Sequence, residues 1–382
     1  MRGRHRRDSG GTRTIAVSPR RDRAGTRHRL RRRGSITAPV AGLFGVLTVM
    51  LTCLVPAAAA TASTTAGRCA ELDIPVTAGL LLPATMHATL CTPDTANPAT
   101  APVQVLVAGG TYGSAYWSGL GITQYSYTAA ANAAGTITLA LDRIGTGRSS
   151  KPLSALVTTD VQASAIHQVI GKLRTGALDG VRHGRVALVG HSLGSMTAVI
   201  EAATYRDVDA VILTGYTHKI SMADTLAGVI TQMHPAILEG RTLDPGYLTT
   251  VPGIRPAQFY SAADRNPALM AAEERSKDIF SIAELPIASL ASLAGLSPAV
   301  SRGIAVPVLQ AVGELDGVFC GPAGSDCSSA QALHAAEAGG YSTALTTYVQ
   351  PGAGHSLALA RDGAQFAAFA NTWLAGVIGG TR

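Results

Sequence analysis

Six short runs of this chain, 103–108 (VQVLVA), 136–141 (TITLAL), 185–189 (RVALV), 210–213 (AVIL), 306–312 (VPVLQAV) and 344–349 (ALTTYV), are mostly apolar at successive positions. A strand with one wet face alternates apolar and polar residues, whereas a strand apolar at successive positions is covered on both faces. Stretches of helical period lie between the runs, at 119–134, 155–173, 193–205, 328–338 and 361–374. Strands alternating with helices predict an α/β fold, with a mostly parallel sheet covered by helices on both faces. Two earlier segments, 72–76 and 87–91, suit an antiparallel edge.

One interval breaks the alternation. Residues 219–303 show no convincing strand but several helical segments punctuated by prolines, and the interval is too long for a plain loop. It is expected to be a helical cap over the sheet, with a separate domain as the alternative. The expected organisation is a leader at 1–62, a core in two parts at 63–218 and 304–382, and the cap between them.

The formal charge of +7 invites a nucleic-acid reading, but its distribution removes that reading. Of the 31 basic side chains, 13 precede residue 61, where only two acids occur; the remainder carries 18 basic and 22 acidic residues. No nucleic-acid partner is expected. The basic head runs into the apolar stretch 40–55 (VAGLFGVLTVMLTCLV) and then into small residues with Ala-x-Ala cleavage options around 58–62. This is the composition of an export signal. An uncleaved membrane anchor is the alternative, since no charge falls between Gly34 and Gly67, although the apolar part is shorter than the ~20 residues a bilayer requires. The mature protein is expected outside the cytoplasm.

Cys53 falls in that leader, leaving Cys69, Cys91, Cys320 and Cys327. An even number suits an oxidising compartment. Of the three pairings, Cys69–Cys91 and Cys320–Cys327 are favoured, the first clipping an N-terminal strand pair and the second closing a short loop. Four reduced, buried thiols are the alternative. No histidine stands at ligand spacing near either pair, so no metal site is expected there.

Between the third apolar run and the helix after it lies Gly190-His191-Ser192-Leu193-Gly194, a G-x-S-x-G pattern. A strand-to-helix turn this tight needs both glycines, and it projects the serine from the carboxyl end of the sheet beside the positive end of a helix. A serine hydroxyl becomes a competent nucleophile when an imidazole takes its proton, and the imidazole needs a carboxylate to orient it. Asp316 follows the run 306–312 and His355 follows the run 344–349, which puts both at the same sheet edge as Ser192. Competing readings are a helix N-cap for Ser192, a turn cap for Asp316 with Glu314 as the acid, and a surface loop for His355. His191 reads as a wall or packing residue, and His167, His218 and His234 as structural or solvated. Tyr112 and Trp117 read either as pocket lining or as packing against the sheet.

Together with Val107-Ala108-Gly109-Gly110-Thr111-Tyr112 and Asp142-Arg143-Ile144-Gly145-Thr146-Gly147-Arg148-Ser149, these motifs resemble the α/β-hydrolase family over most of the mature length. The D-x-x-G-x-G-x-S turn is similar to that of the branch holding lipases, esterases, epoxide hydrolases and cofactor-free haloperoxidases. The resemblance implies Ser192 as nucleophile, His355 as base and Asp316 as orienting acid. It also implies an oxyanion hole built from the backbone N–H groups of Leu193 and Gly110, with Thr111 as the fallback for the latter. Many relatives carry histidine where this chain has Ala108, which leaves the orientation of that loop open. Serine at 192 argues against epoxide hydrolase and haloalkane dehalogenase chemistry, which on this fold uses aspartate.

The expectation is therefore an exported serine hydrolase of a carboxylic ester, with an apolar substrate portion suggested by the Ala, Leu, Ile and Met of the cap. No cofactor is expected, because the Gly145 to Gly147 turn lacks the G-x-G-x-x-G spacing and a ribose-binding acid. Lactonase, thioesterase or perhydrolase chemistry would use the same three side chains, and a non-catalytic ligand-binding protein on the same scaffold is the reading from a different class. Lipid-surface contact stays open, and oligomeric state is not legible.

Overall fold

The computed structural model describes residues 67–379 other than 80, 221, 287 and 289. The expected export signal lies outside the described residues. Among them no helix is long and apolar enough to cross a membrane.

The strands of the main sheet are β1 (Arg68–Ala78), β2 (Leu82–Thr92), β3 (Val103–Val107), β4 (Ile137–Leu141), β5 (Val186–His191), β6 (Ala210–Thr214), β10 (Val308–Gly313) and β11 (Leu345–Gln350); β7 to β9 belong to the inserted region. Their order across the sheet is β1-β2-β4-β3-β5-β6-β10-β11. The β1–β2 and β2–β4 pairs are antiparallel and every other pair is parallel. This is an α/β-hydrolase fold. The predicted antiparallel edge is the β1–β2 hairpin, in which Cys69 lies directly opposite Cys91 and is disulfide-bonded to it. Cys320 and Cys327 form the second disulfide.

Strands β3, β4, β5, β6 and β10 are buried along their whole length, as their unbroken apolar runs require. Side chains of a strand alternate between faces. Val103, Val105 and Val107 pack with α2 (Thr159–Thr175) and α3 (Leu193–Tyr205), while Leu106 packs on the opposite face with α1 (Tyr127–Ala133) and α10 (Gly363–Ile378). Gln104 is the polar intruder on that second face. Its amide donates to Asn371 Oδ1 at 2.8 Å and accepts from the Tyr127 hydroxyl at 2.7 Å, so burial leaves neither end unsatisfied.

Two expectations need correction. The predicted helix over 119–134 is broken: 3₁₀ turns at Gly119–Gly121 and Thr123–Tyr125 precede α1, whose N-cap is Ser126. The backbone at Leu120 turns left-handed (φ 54), which no helix can pass through. Residues 219–303, expected to contain no strand, hold a small antiparallel sheet of β7 (Met233–Pro235), β8 (Tyr247–Thr250) and β9 (Phe280–Ser281). These strands are two to four residues long, too short for any period to register in the sequence. Around them stand α4 (Met222–Gln232), α5 (Arg255–Phe259), α6 (Pro267–Ser276), α7 (Leu290–Ala294) and α8 (Pro298–Ser301). The last helix in the chain order before α10 is α9 (Ala330–Glu337), which follows the Cys320–Cys327 loop.

Candidate active site

Ser192 stands between β5 and α3 with φ 54 and ψ −119, a conformation that non-glycine residues adopt only when the surroundings impose it. The surroundings here are two close approaches. A Cβ on Gly190 would fall 2.5 Å from the Cα of Ser195, and one on Gly194 would overlap the carbonyl oxygens of Val107 and Ala108. The elbow is then tied to β6: the Ser192 N–H donates to Thr214 O at 2.8 Å, and Ser195 Oγ donates to the same carbonyl at 3.0 Å.

Asp316 and His355 come from the turns after β10 and β11, and both are buried. His355 Nε2 lies 2.9 Å from Ser192 Oγ, and its Nδ1 lies 2.9 Å from Asp316 Oδ2. The second oxygen of Asp316 accepts the N–H groups of Val318 at 2.8 Å and Phe319 at 3.2 Å, so the carboxylate is aimed by its own turn. The imidazole is flanked by the rings of Phe259 and Phe319. Glu314, the competing acid, points elsewhere and accepts the N–H of Gly352 at 2.9 Å. With this geometry a proton can pass from the hydroxyl to the ring while the carboxylate steadies the resulting cation.

His191 packs. Its ring stacks on Tyr116 at 4.4 Å, and burial, followed by the neighbouring His355, pushes its pKa well below the usual histidine range. Tyr112 is buried and also lines the cavity, so both readings of that residue apply; Trp117 is packed among Tyr116 and Tyr127.

The backbone N–H groups of Gly110 and Leu193 make no hydrogen bond among the described residues. The two residues adjoin, since a Cβ on Gly110 would lie 3.6 Å from Leu193 Cδ2. The loop carrying Gly110 is held by two buried arginines that the sequence reading missed. Arg143 donates to the carbonyls of Ala108 at 3.0 Å and Gly109 at 3.2 Å, and it pairs with Glu284. Arg255 donates to Thr111 Oγ1 at 2.7 Å, lies over the Tyr112 ring and pairs with Glu273. Tyr112 in turn bonds Glu273 and, at 2.8 Å, Ser356 beside His355. Both glutamates and Arg255 come from residues 219–303, so that interval fixes the loop. Of this set only the Ser281–Glu284 capping box has a sequence signature, S-x-x-E; Arg143 lies 141 residues from Glu284 and Arg255 lies 144 from Thr111.

The D-x-x-G-x-G-x-S turn is held through Asp142 and through Asp278, which accepts the Gly147 N–H at 2.6 Å. Asp142 accepts the N–H groups of Ser114 at 2.7 Å and Arg148 at 2.9 Å, and Ser149 Oγ donates to the Asp142 carbonyl. Ser192, His355 and Gly110 open onto a cavity of about 380 Å³ whose other walls include Met196, Val229, Met233, Phe280 and Leu285.

The sequence matches the family model described as "Alpha/beta hydrolase family" over residues 104–369. None of the curated proteins matches it. Among solved structures, the thermophilic esterase from Thermogutta terrifontis is similar at a TM-score of 0.55 and 16% identity, covering 81% of this chain and 99% of that one. The α/β hydrolase GrgF from Penicillium sp. sh18 is similar at 0.55 and 18%, with 81% and 100% covered. The enol-lactonase from Burkholderia xenovorans LB400 is similar at 0.50 and 18%, with 76% and 96% covered. With a family match across most of the described residues and an eight-stranded sheet in the same fold, the chain belongs to the α/β-hydrolase family.

Proposed function

We propose that the protein is an exported serine hydrolase that cleaves carboxylic esters with an apolar acyl or alcohol portion through an acyl-enzyme. The observation that carries this reading is the pair of 2.9 Å contacts joining Ser192 Oγ to His355 Nε2 and His355 Nδ1 to Asp316 Oδ2. Ser192 Oγ attacks the acyl carbon as His355 Nε2 takes its proton. The negative charge that develops on the former carbonyl oxygen is received by the N–H groups of Gly110 and Leu193, aided by the positive end of α3. Collapse of the tetrahedral intermediate breaks the ester C–O bond, and the alcohol leaves with the proton from His355. Water, deprotonated by the same imidazole, then attacks the acyl-enzyme and releases the acid.

The cavity walls support an apolar substrate: methionine, valine, leucine and phenylalanine offer burial and no charge to compensate an ionic group. Leu226 and Ile230, one helical turn apart on α4, are exposed beside the cavity residues of the same helix, which supports contact with a lipid surface. The two disulfides support an oxidising destination.

The test is a panel of aryl esters of increasing acyl length, with lactones and thioesters alongside, assayed with Ser192→Ala as control. Ester turnover lost in the variant supports the reading. Turnover confined to lactones or thioesters replaces the substrate class, and turnover that survives Ser192→Ala removes the mechanism.

A further inference from the structure

At the end of α3 opposite the elbow, three side chains converge that the proposed reaction does not use. Glu201 on α3 is fully buried, and no hydrogen-bond donor among the described residues reaches either of its oxygens. It faces Asp207, in the turn after α3, whose Oδ1 is also without a donor. Asp207 Oδ2 lies 2.6 Å from Nδ1 of His167 on α2. His167 is 39% exposed at its side chain, and its ring is stacked on Tyr205 at 3.9 Å and 8°. One ligand atom from each of the three residues can be chosen so that all lie within 4.8 Å of one another.

Two carboxylates facing each other under protein are unfavourable without a cation or a proton between them. Arg174, which reaches the Asp207 carbonyl, does not relieve this: it spends its donors on the backbone carbonyls of Asp207, His183 and Gly184 and on Asp209. Imidazole with two carboxylates is a donor set that suits Zn²⁺ or Mn²⁺, and three protein ligands leave further positions for water. Calcium, which takes oxygen ligands, fits it poorly.

We propose that His167, Glu201 and Asp207 form a binding site for a divalent transition-metal cation, which ties α2 to the end of α3 and the turn that follows. Glu201 is nine residues from Ser192, about 13 Å along the helix, so the ion is structural and stands apart from the ester chemistry. His167, read from sequence as structural or solvated, becomes the accessible ligand through which the ion enters.

The experiment uses the full chain, without a polyhistidine tag and stripped with chelator, titrated with Zn²⁺, Mn²⁺ and Ca²⁺ separately while heat of binding and Tm are followed. One equivalent of Zn²⁺ or Mn²⁺ is expected to bind and to raise Tm by several degrees. Glu201→Gln and His167→Ala should each weaken binding by more than the roughly 10–100-fold that loss of an outer-shell partner costs, and abolish the Tm response. His167→Ala, at a partly exposed position, decides the matter if Glu201→Gln fails to fold, and it should leave ester turnover unchanged. The proposal is overturned if neither Zn²⁺ nor Mn²⁺ raises Tm, if the rise persists undiminished in His167→Ala, or if Ca²⁺ alone stabilises; the first of these outcomes would leave a proton shared by the two carboxylates as the account of the pair.

Discussion

At the scale of single residues, three side chains separated by up to 163 positions meet at one rim because each follows a strand of the parallel part of the sheet. That convergence was readable in the sequence, since G-x-S-x-G fixes one member and a short turn after a strand restricts the others. What was not readable is the support behind Gly110. Arg143 sits within a quoted motif, but nothing in the motif says that its guanidinium turns inward to hold the Ala108 carbonyl. Asp316→Asn should keep the fold and the hydrogen-bond spacing but favour the wrong imidazole tautomer. Its kcat is expected to fall by roughly four orders of magnitude with little change in KM, as measured by steady-state ester hydrolysis.

At the scale of elements, the insertion carries the larger share of what sequence could not foresee. Its three-stranded sheet has no period long enough to detect, whereas α3 is found where its apolar helical pattern placed it. Its buried ion pairs follow from tertiary approach alone. Removing one partner of such a pair leaves an uncompensated charge, so Glu273→Ala should cost about 3–5 kcal/mol in urea unfolding at neutral pH. Replacing both members, Arg255→Met with Glu273→Met, should cost less than the two single changes added together. A second cluster ties β7 to α6 and its flank, where Glu239 receives His234 and Lys277 at 2.8 Å and Arg241 at 2.9 Å. Burial alone would raise the Glu239 carboxyl, but the hydrogen bonds from Lys277, Arg241 and His234 outweigh it and hold the group at about 2. A depressed carboxylate stabilises the fold above its unfolded value of 4.5 and loses that contribution as pH falls toward 2. The stability gap between the native chain and Glu239→Gln, read by denaturant unfolding, should therefore be full at pH 7 and shrink below about pH 4.5.

At the scale of the whole molecule, the hairpin edge and the site are separate: β1 and β2 stand at one margin of the sheet, with β4 and β3 between them and the serine strand β5. The Cys69–Cys91 bridge closes a 22-residue separation and should contribute about 3 kcal/mol by restricting the unfolded chain. Cys69→Ser with Cys91→Ser is expected to lower Tm in a thermal scan while kcat is retained. The strand order was legible only as far as parallel neighbours and an antiparallel edge, because strand runs report burial but not which run lies beside which. Every step of the proposed reaction requires Ser192 to be activated by His355. Intact-mass measurement of the protein after reaction with a fluorophosphonate tests this most directly. A single adduct mapping to Ser192, formed at least about a thousandfold more slowly in His355→Ala, is the predicted result; an unlabelled native protein, or labelling that ignores the loss of His355, would contradict it.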